Sequence, residues 1–155
     1  MEHNTAAVCG TWWRADINVD GTPRGYGVYE VDGNQVKWLY KSAGYPKEHQ
    51  LHVYQAGSSD EYPSDIIANV WNWDEQWKVE WYENGKRMGE MQRYKGYDPA
   101  AKAICSDKEK MKYEWISPVL TEHLFHATPR NKNAKIEVKV TDRFGNVYTE
   151  AVENK

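Results

Sequence analysis

Oxygen-bearing side chains alternate along Asp16-Ile-Asn18-Val-Asp20-Gly21, which matches the first half of a calcium loop. Such loops place oxygen ligands at alternate positions and a glycine at the sharp turn. The twelfth position, which should supply a bidentate carboxylate, is Gly27 counting from Asp16, and the next carboxylate is Glu30. The stretch therefore reads as an Asx-type turn, with Asp16, Asn18 and Asp20 a calcium candidate that lacks its last ligand. His123 and His126, and likewise His49 and His52, have the spacing of two ligands one helical turn apart. Pro118 and Pro129 around the first pair, and Leu124 and Phe125 within it, indicate an extended segment, in which residues three apart point to opposite faces. No shared metal site is expected from either pair.

Nucleophilic chemistry has no visible carrier. There is no Gly-x-Ser-x-Gly to present a serine on a strained turn, and Cys9 and Cys105 lack Cys-x-x-Cys spacing. Whether the two cysteines pair or stay as thiols is left open by their separation. Among 23 acidic residues no pair can be singled out for glycoside hydrolysis, because the fold and not the spacing sets such pairs. No catalytic residue is assigned.

The aromatic residues are the stronger signal: 8 Trp and 11 Tyr stand against 2 Phe, so most large apolar side chains carry a polar handle. Aromatic rings stack on sugars, and they also fill cores and domain interfaces. In Ile66-Ile-Ala-Asn-Val-Trp-Asn-Trp73, if Ile66, Ala68 and Val70 face a core, then Ile67, Asn69, Trp71 and Trp73 form an opposite face that needs cover. Trp12 and Trp13 must diverge if extended, one inward and one near the surface. Trp38, Trp77, Trp81 and Trp115 alternate with charged neighbours and are expected in the core. The candidate surface for a ligand or a domain is therefore Trp12, Trp13, Arg14, Tyr26, Trp71 and Trp73, beside a loop of hydrogen-bonding groups that includes Asp16, Asn18, Asp20 and Arg24.

Period-two alternation supplies the elements that must position these residues. Val28 to Val31, Asp32-Gly-Asn34 and Val36-Lys-Trp-Leu-Tyr40 form a hairpin with Val36, Trp38 and Tyr40 on one face. Leu51 to Tyr54 is a short strand. Trp77 to Tyr82, Asn84-Gly85 and Lys86 to Tyr94 form a second hairpin, with Trp77, Val79 and Trp81 inward. Ile136, Val138 and Val140 begin a closing hairpin that turns at Phe144-Gly-Asn146 into Val147 to Val152. Only Asp98 to Ile104 reads as helix, with Asp98 as N-cap and Pro99 first in the helix. The expected fold is all-β: a two-layer antiparallel β-sandwich, immunoglobulin- or fibronectin-like, with one short helix.

At 155 residues the chain suits one domain, 1–155, with one sizeable core. Formal net charge is −3 with both signs interspersed, so no field concentrates phosphate backbones, and nucleic acid is not an expected partner. No apolar run approaches the about 20 residues of a membrane helix, and the N-terminus has no basic region followed by an apolar one.

Five stretches together resemble a known family: Cys9-Gly-Thr-Trp-Trp-Arg-Ala-Asp16, Asp20-Gly-Thr-Pro-Arg-Gly-Tyr26, Asp65 to Trp73, Thr121-Glu-His-Leu-Phe-His-Ala-Thr128 and Val140 to Thr149. The chain resembles, from about Ala7 to Val152, the C-terminal domain of bacterial calcineurin-like phosphoesterases. In that family a metallophosphoesterase domain precedes this one and carries the divalent metal ions on Asp-x-His, Gly-Asp-x-x-Asp, Gly-Asn-His-Asp/Glu and Gly-His-x-His motifs. None of the four occurs here. The resemblance implies a non-catalytic accessory domain of a phosphohydrolase, with no cofactor of its own and Met1 near a domain boundary of a longer, exported protein. Its implied partner is the upstream phosphoesterase domain; the aromatic excess leaves a glycan as the alternative.

Overall fold

The computed structural model describes residues 4–109, 111 and 113–153. Strands β1 (Gly25–Asp32) and β2 (Gln35–Ser42) pair into an antiparallel ribbon closed at Gly33-Asn34, with Val31 opposite Val36. The remaining strands are β3 (Leu51–Tyr54), β4 (Ile66–Val70), β5 (Lys78–Glu83), β6 (Lys86–Glu90), β7 (Gln92–Gly96), β8 (Thr121–Ala127), β9 (Lys135–Thr141) and β10 (Val147–Glu153). They form two four-stranded antiparallel sheets, ordered β10-β9-β5-β6 and β3-β4-β8-β7. One helix, α1 (Pro99–Ser106), follows β7. This is the two-layer antiparallel β-sandwich that the alternation predicts.

The inner faces follow the period of two. Trp77, Val79 and Trp81 on one sheet meet Leu51, Val53, Ile66 and Phe125 on the other, all in one buried cluster with Ile136, Val138 and Val140. Val79 lies opposite Val140 and Trp81 opposite Val138, so these pairs set the register of the first sheet. Asn84 and Gly85 both have positive φ, 50° and 79°, as a type I′ turn requires. The expected strand from Lys86 to Tyr94 is in fact two. A bulge opposite Trp81 and Tyr82, with Gly89 at φ 139°, turns the chain so that buried Met91 passes between the layers, and β7 pairs with β8 instead.

Strand β4 is buried along its whole length. Ile66, Ala68 and Val70 face the inter-sheet core, while Ile67 packs with Tyr94 and Leu124 under Tyr54 and Tyr62, which supply the cover that the sequence demanded. The outward row does not continue to Trp71 and Trp73, and this corrects the expected open face. The strand ends at Val70, and Asn72 adopts φ 62°, which breaks the alternation. Trp71 is 1% exposed, its Nε1 donating to the His49 carbonyl at 3.1 Å. Trp73 packs against the main core, edge-on to Phe125 at 5.7 Å with the Arg93 guanidinium 4.5 Å over its ring. Two further core expectations are corrected. Trp38 is only half-buried, because burial along β2 rises from the ribbon's tip toward Tyr40 at its base. Trp115 is 62% exposed, because its segment is irregular and period two does not apply there. Cys9 and Cys105 are free thiols.

Buried carboxylates close the turns. Asp142 accepts from the Phe144 and Asn146 amides and from the Tyr148 hydroxyl, fixing the β9–β10 hairpin, and Glu83 accepts from the Arg130 and Asn131 amides. Between the sheets, His52 on edge strand β3 pairs with Glu150 on edge strand β10 at 2.9 Å. That hydrogen bond holds the His52 ring above its ordinary pKa despite partial burial, whereas burial holds His49 below its own. A raised folded pKa adds stability that is complete below the unfolded value, about 6.5, and is lost as pH rises through the folded value. His49, being lowered, acts in the opposite sense, so the His52 contribution is read as a difference. In urea unfolding at stepped pH, Glu150→Gln is expected to lose stability relative to the native chain at pH 5.5, with the gap closing above neutrality. A gap independent of pH would refute the pairing.

Candidate functional site

The N-terminal loop is pinned by Thr11, which is 3% exposed and donates to the Ile17 carbonyl from both its amide and its hydroxyl, at 2.8 and 2.7 Å. Beyond this anchor Trp12 and Trp13 both adopt positive φ, 48° and 63°. The left-handed region is unfavourable for bulky residues, each costing about 1–3 kcal/mol, and persists only when the surroundings impose it. The result is display: Trp12 is 56% and Trp13 79% exposed, and Arg14 is exposed beside them. Trp115, also exposed, meets Trp12 edge-on at 5.0 Å and lies 5.8 Å from Tyr113. The rings of Trp12 and Trp13 therefore do not divide between core and surface. Tyr26 is exposed on β1.

The second half of the loop is stitched to itself. Asn18 is buried and its Nδ2 donates to the carbonyls of Thr22, at 3.0 Å, and Pro23. Asp20 Oδ1 accepts from the Thr22 amide at 2.9 Å, an Asx turn, and Asp16 pairs with Arg24 at 3.3 Å. Asn18 Nδ2 is thus committed to the loop's own carbonyls, and Asp16 is paired with Arg24. Among the described residues no group of three or more His, Cys, Asp or Glu is placed to hold a metal ion. His123 and His126 have separate partners: His126 Nδ1 meets Asp65 at 2.6 Å and stacks on Tyr62 at 3.8 Å, while His123 Nε2 lies 3.6 Å from Asp20.

Behind this loop lies a buried polar chain. Asp98, fully buried as N-cap of α1, accepts from the Ala101 amide at 2.9 Å, the Tyr54 hydroxyl at 2.9 Å and Asn69 Nδ2 at 2.8 Å. Asn69 Nδ2 also reaches the Asp20 carbonyl at 3.1 Å, so its Oδ1 is the acceptor for His123 Nδ1 at 2.7 Å. His123 therefore carries a proton on Nδ1, which leaves Nε2 toward the Asp20 carboxylate. Burial pushes the Asp20 carboxyl up, but contacts with His123 and the Thr22 amide outweigh it and hold the group below its ordinary value. Burial and the Asp98 charge push the Tyr54 hydroxyl upward. Gly21 packs on the same carboxylate: a Cβ there would sit 2.0 Å from Asp98 Cγ, and its φ is 83°.

Asp20 and His123 form one wall of a cavity of about 450 Å³, in the range of small-molecule sites. Trp38, Tyr40 and Trp73 give it aromatic walls, and residues 4–6 run along its rim. Arg143, from the β9–β10 turn, lies over Trp38 at 5.0 Å and pairs with Asp74 at 2.8 Å on the same lining. Trp73 and Asn72 are also on its lining, while their Nε1 and Nδ2 atoms are buried away from solvent with no hydrogen-bond partner among the described residues, which costs about 1–3 kcal/mol each. Of the residues singled out from sequence, Asp20 and Trp73 belong to this cavity; Asn72, Asp74, His123 and Arg143 were not singled out for it. They come from three distant segments, and the local sign was the Asn between two tryptophans that bends the chain.

Asp98→Ala is expected to lower unfolding free energy by about 3–5 kcal/mol, the sum of a lost cap and two stranded donors. Denaturant unfolding checks it, and a loss under about 1 kcal/mol would refute the network's role.

Comparison with known proteins follows the same direction as the residues. A family model described as the C terminal of Calcineurin-like phosphoesterase matches residues 2–148. No curated protein and no solved structure matches the chain. The match covers nearly the whole length, and the chain belongs to the family of C-terminal domains of calcineurin-like phosphoesterases.

Proposed function

We propose that the chain is one accessory domain, without catalysis of its own, that docks on the metal-dependent catalytic domain preceding it in the family and helps to shape the mouth of its active site. The observation that carries this reading is the aromatic cluster of Trp12, Trp13, Tyr113 and Trp115, held out to solvent by a loop in which two tryptophans occupy left-handed backbone. Exposed aromatic rings beside an arginine have the composition of an interface core, and strained display of this kind is retained where it serves contact. The cluster includes the segment nearest in sequence to the preceding domain, which favours that domain as its occupant. The divalent ions of the reaction belong, on this reading, to the catalytic domain, since the four ligand motifs are absent here.

Replacing both residues, Trp12→Ala with Trp13→Ala, tests the reading by context. In this chain alone the pair is exposed, so the change is expected to shift stability by no more than about 0.5 kcal/mol. In the full-length protein it is expected to cost about 2 kcal/mol of domain association, seen as a lower unfolding midpoint and reduced kcat/KM. Unchanged full-length stability and kinetics would contradict it.

A further inference from the structure

His123 and Asp20 bring two hydrogen-bond acceptors together on the wall of the cavity. Asn69 Nδ2 is spent on Asp98 and on the Asp20 carbonyl, so Asn69 Oδ1 takes the His123 Nδ1 proton, and the neutral ring turns the lone pair of Nε2 toward Asp20. Nε2 and Asp20 Oδ2 are 3.6 Å apart, too far for a good hydrogen bond of their own and close enough for one donor nitrogen to reach both. Both side chains lie on the lining and keep part of their surface open, 20% for His123 and 27% for Asp20. Two carboxylates on that lining, Asp20 and Asp74, stand against one fixed cation, Arg143, and Asp74 takes it at 2.8 Å. The charge of Asp20 therefore has no fixed cation on the lining.

From this we infer that the cavity binds a small ligand through a primary ammonium group, which donates to both Asp20 Oδ2 and His123 Nε2. An ammonium nitrogen carries three donors and no acceptor, so it serves both atoms and brings the positive charge that Asp20 pairs with. A neutral alcohol has one O–H and satisfies one of the two acceptors only. Inorganic phosphate would set its own charge against two carboxylates. Trp38 and Tyr40 give the cation and its alkyl chain an aromatic wall, and Trp38 already carries the Arg143 guanidinium 5.0 Å from its ring. The Trp12–Trp115 cluster of the docking surface takes no part.

Titration of this chain with butylammonium at about pH 8, above ordinary histidine titration, and followed by the imidazole nitrogen resonances, tests it. The His123 signals are identified by their loss in His123→Gln. The expected result is a saturable shift of His123 Nε2 in a ring whose proton sits on Nδ1. Affinity is expected to fall about tenfold to a hundredfold in Asp20→Asn, the loss of one charge-assisted hydrogen bond. That variant keeps an Oδ1 acceptor for the Thr22 amide, so the Asx turn is retained. Butanol, inorganic phosphate and tetramethylammonium, which has the charge but no N–H, are each expected to bind at least about tenfold more weakly than butylammonium. Trp12→Ala should bind as the native chain does. No shift of His123 with butylammonium, undiminished affinity in Asp20→Asn, equal or tighter binding of any of the three control ligands, or a ring that carries both protons at this pH would overturn the inference.

Discussion

The buried carboxylate of Asp98 is the constraint on which the functional end of this molecule depends. A charge removed from water is tolerated only if hydrogen bonds replace its hydration, and three donors do so, from the helix, from β3 and from β4. The glycine at position 21 follows from it, since no side chain fits between the loop and that carboxylate. So does the orientation of Asn69, which is committed to Asp98 by its amide nitrogen and therefore offers its oxygen to His123. Through Asn69 and His123 the same network reaches Asp20, and so one buried group places the turn-rich loop, the covering helix and a wall of the cavity together.

Much of the framework was legible because one face of most strands is buried and the other wet. Ile136, Val138 and Val140 could hardly be read otherwise, nor could Asn84-Gly85 between alternating runs. Legibility failed where that asymmetry fails. β4 is covered on both faces, so its alternation carried no information about which side met solvent, and Asn72 reversed the sense of the residues that followed. Lys86 to Tyr94 reads as one strand because crossing between sheets at Met91 leaves no break in hydrophobic pattern. Trp115 alternates with charged neighbours in a segment that is not a strand.

The sites differ in the same way. Trp12 and Trp13 stood out as an adjacent pair, and they are exposed, but the reason is a backbone conformation that no propensity scale assigns to tryptophan. The cavity was not legible at all as a site, since Asp20, Trp73, His123 and Arg143 meet only through the fold. Two different uses of tryptophan result. At the loop the rings are displayed at the cost of backbone strain, which suits a macromolecular contact. At the cavity wall Trp73 is instead packed against the core, edge-on to Phe125, where its ring serves packing and not display.

The docking account is tested most directly by hydroxyl-radical footprinting of the tryptophans, comparing this chain alone with the full-length protein under identical dose. The account predicts that Trp12, Trp13 and Trp115 are oxidised readily in the isolated chain and protected several-fold in the full-length protein, while buried Trp71 and Trp81 react slowly in both. Equal oxidation of Trp12, Trp13 and Trp115 in the two forms would contradict it.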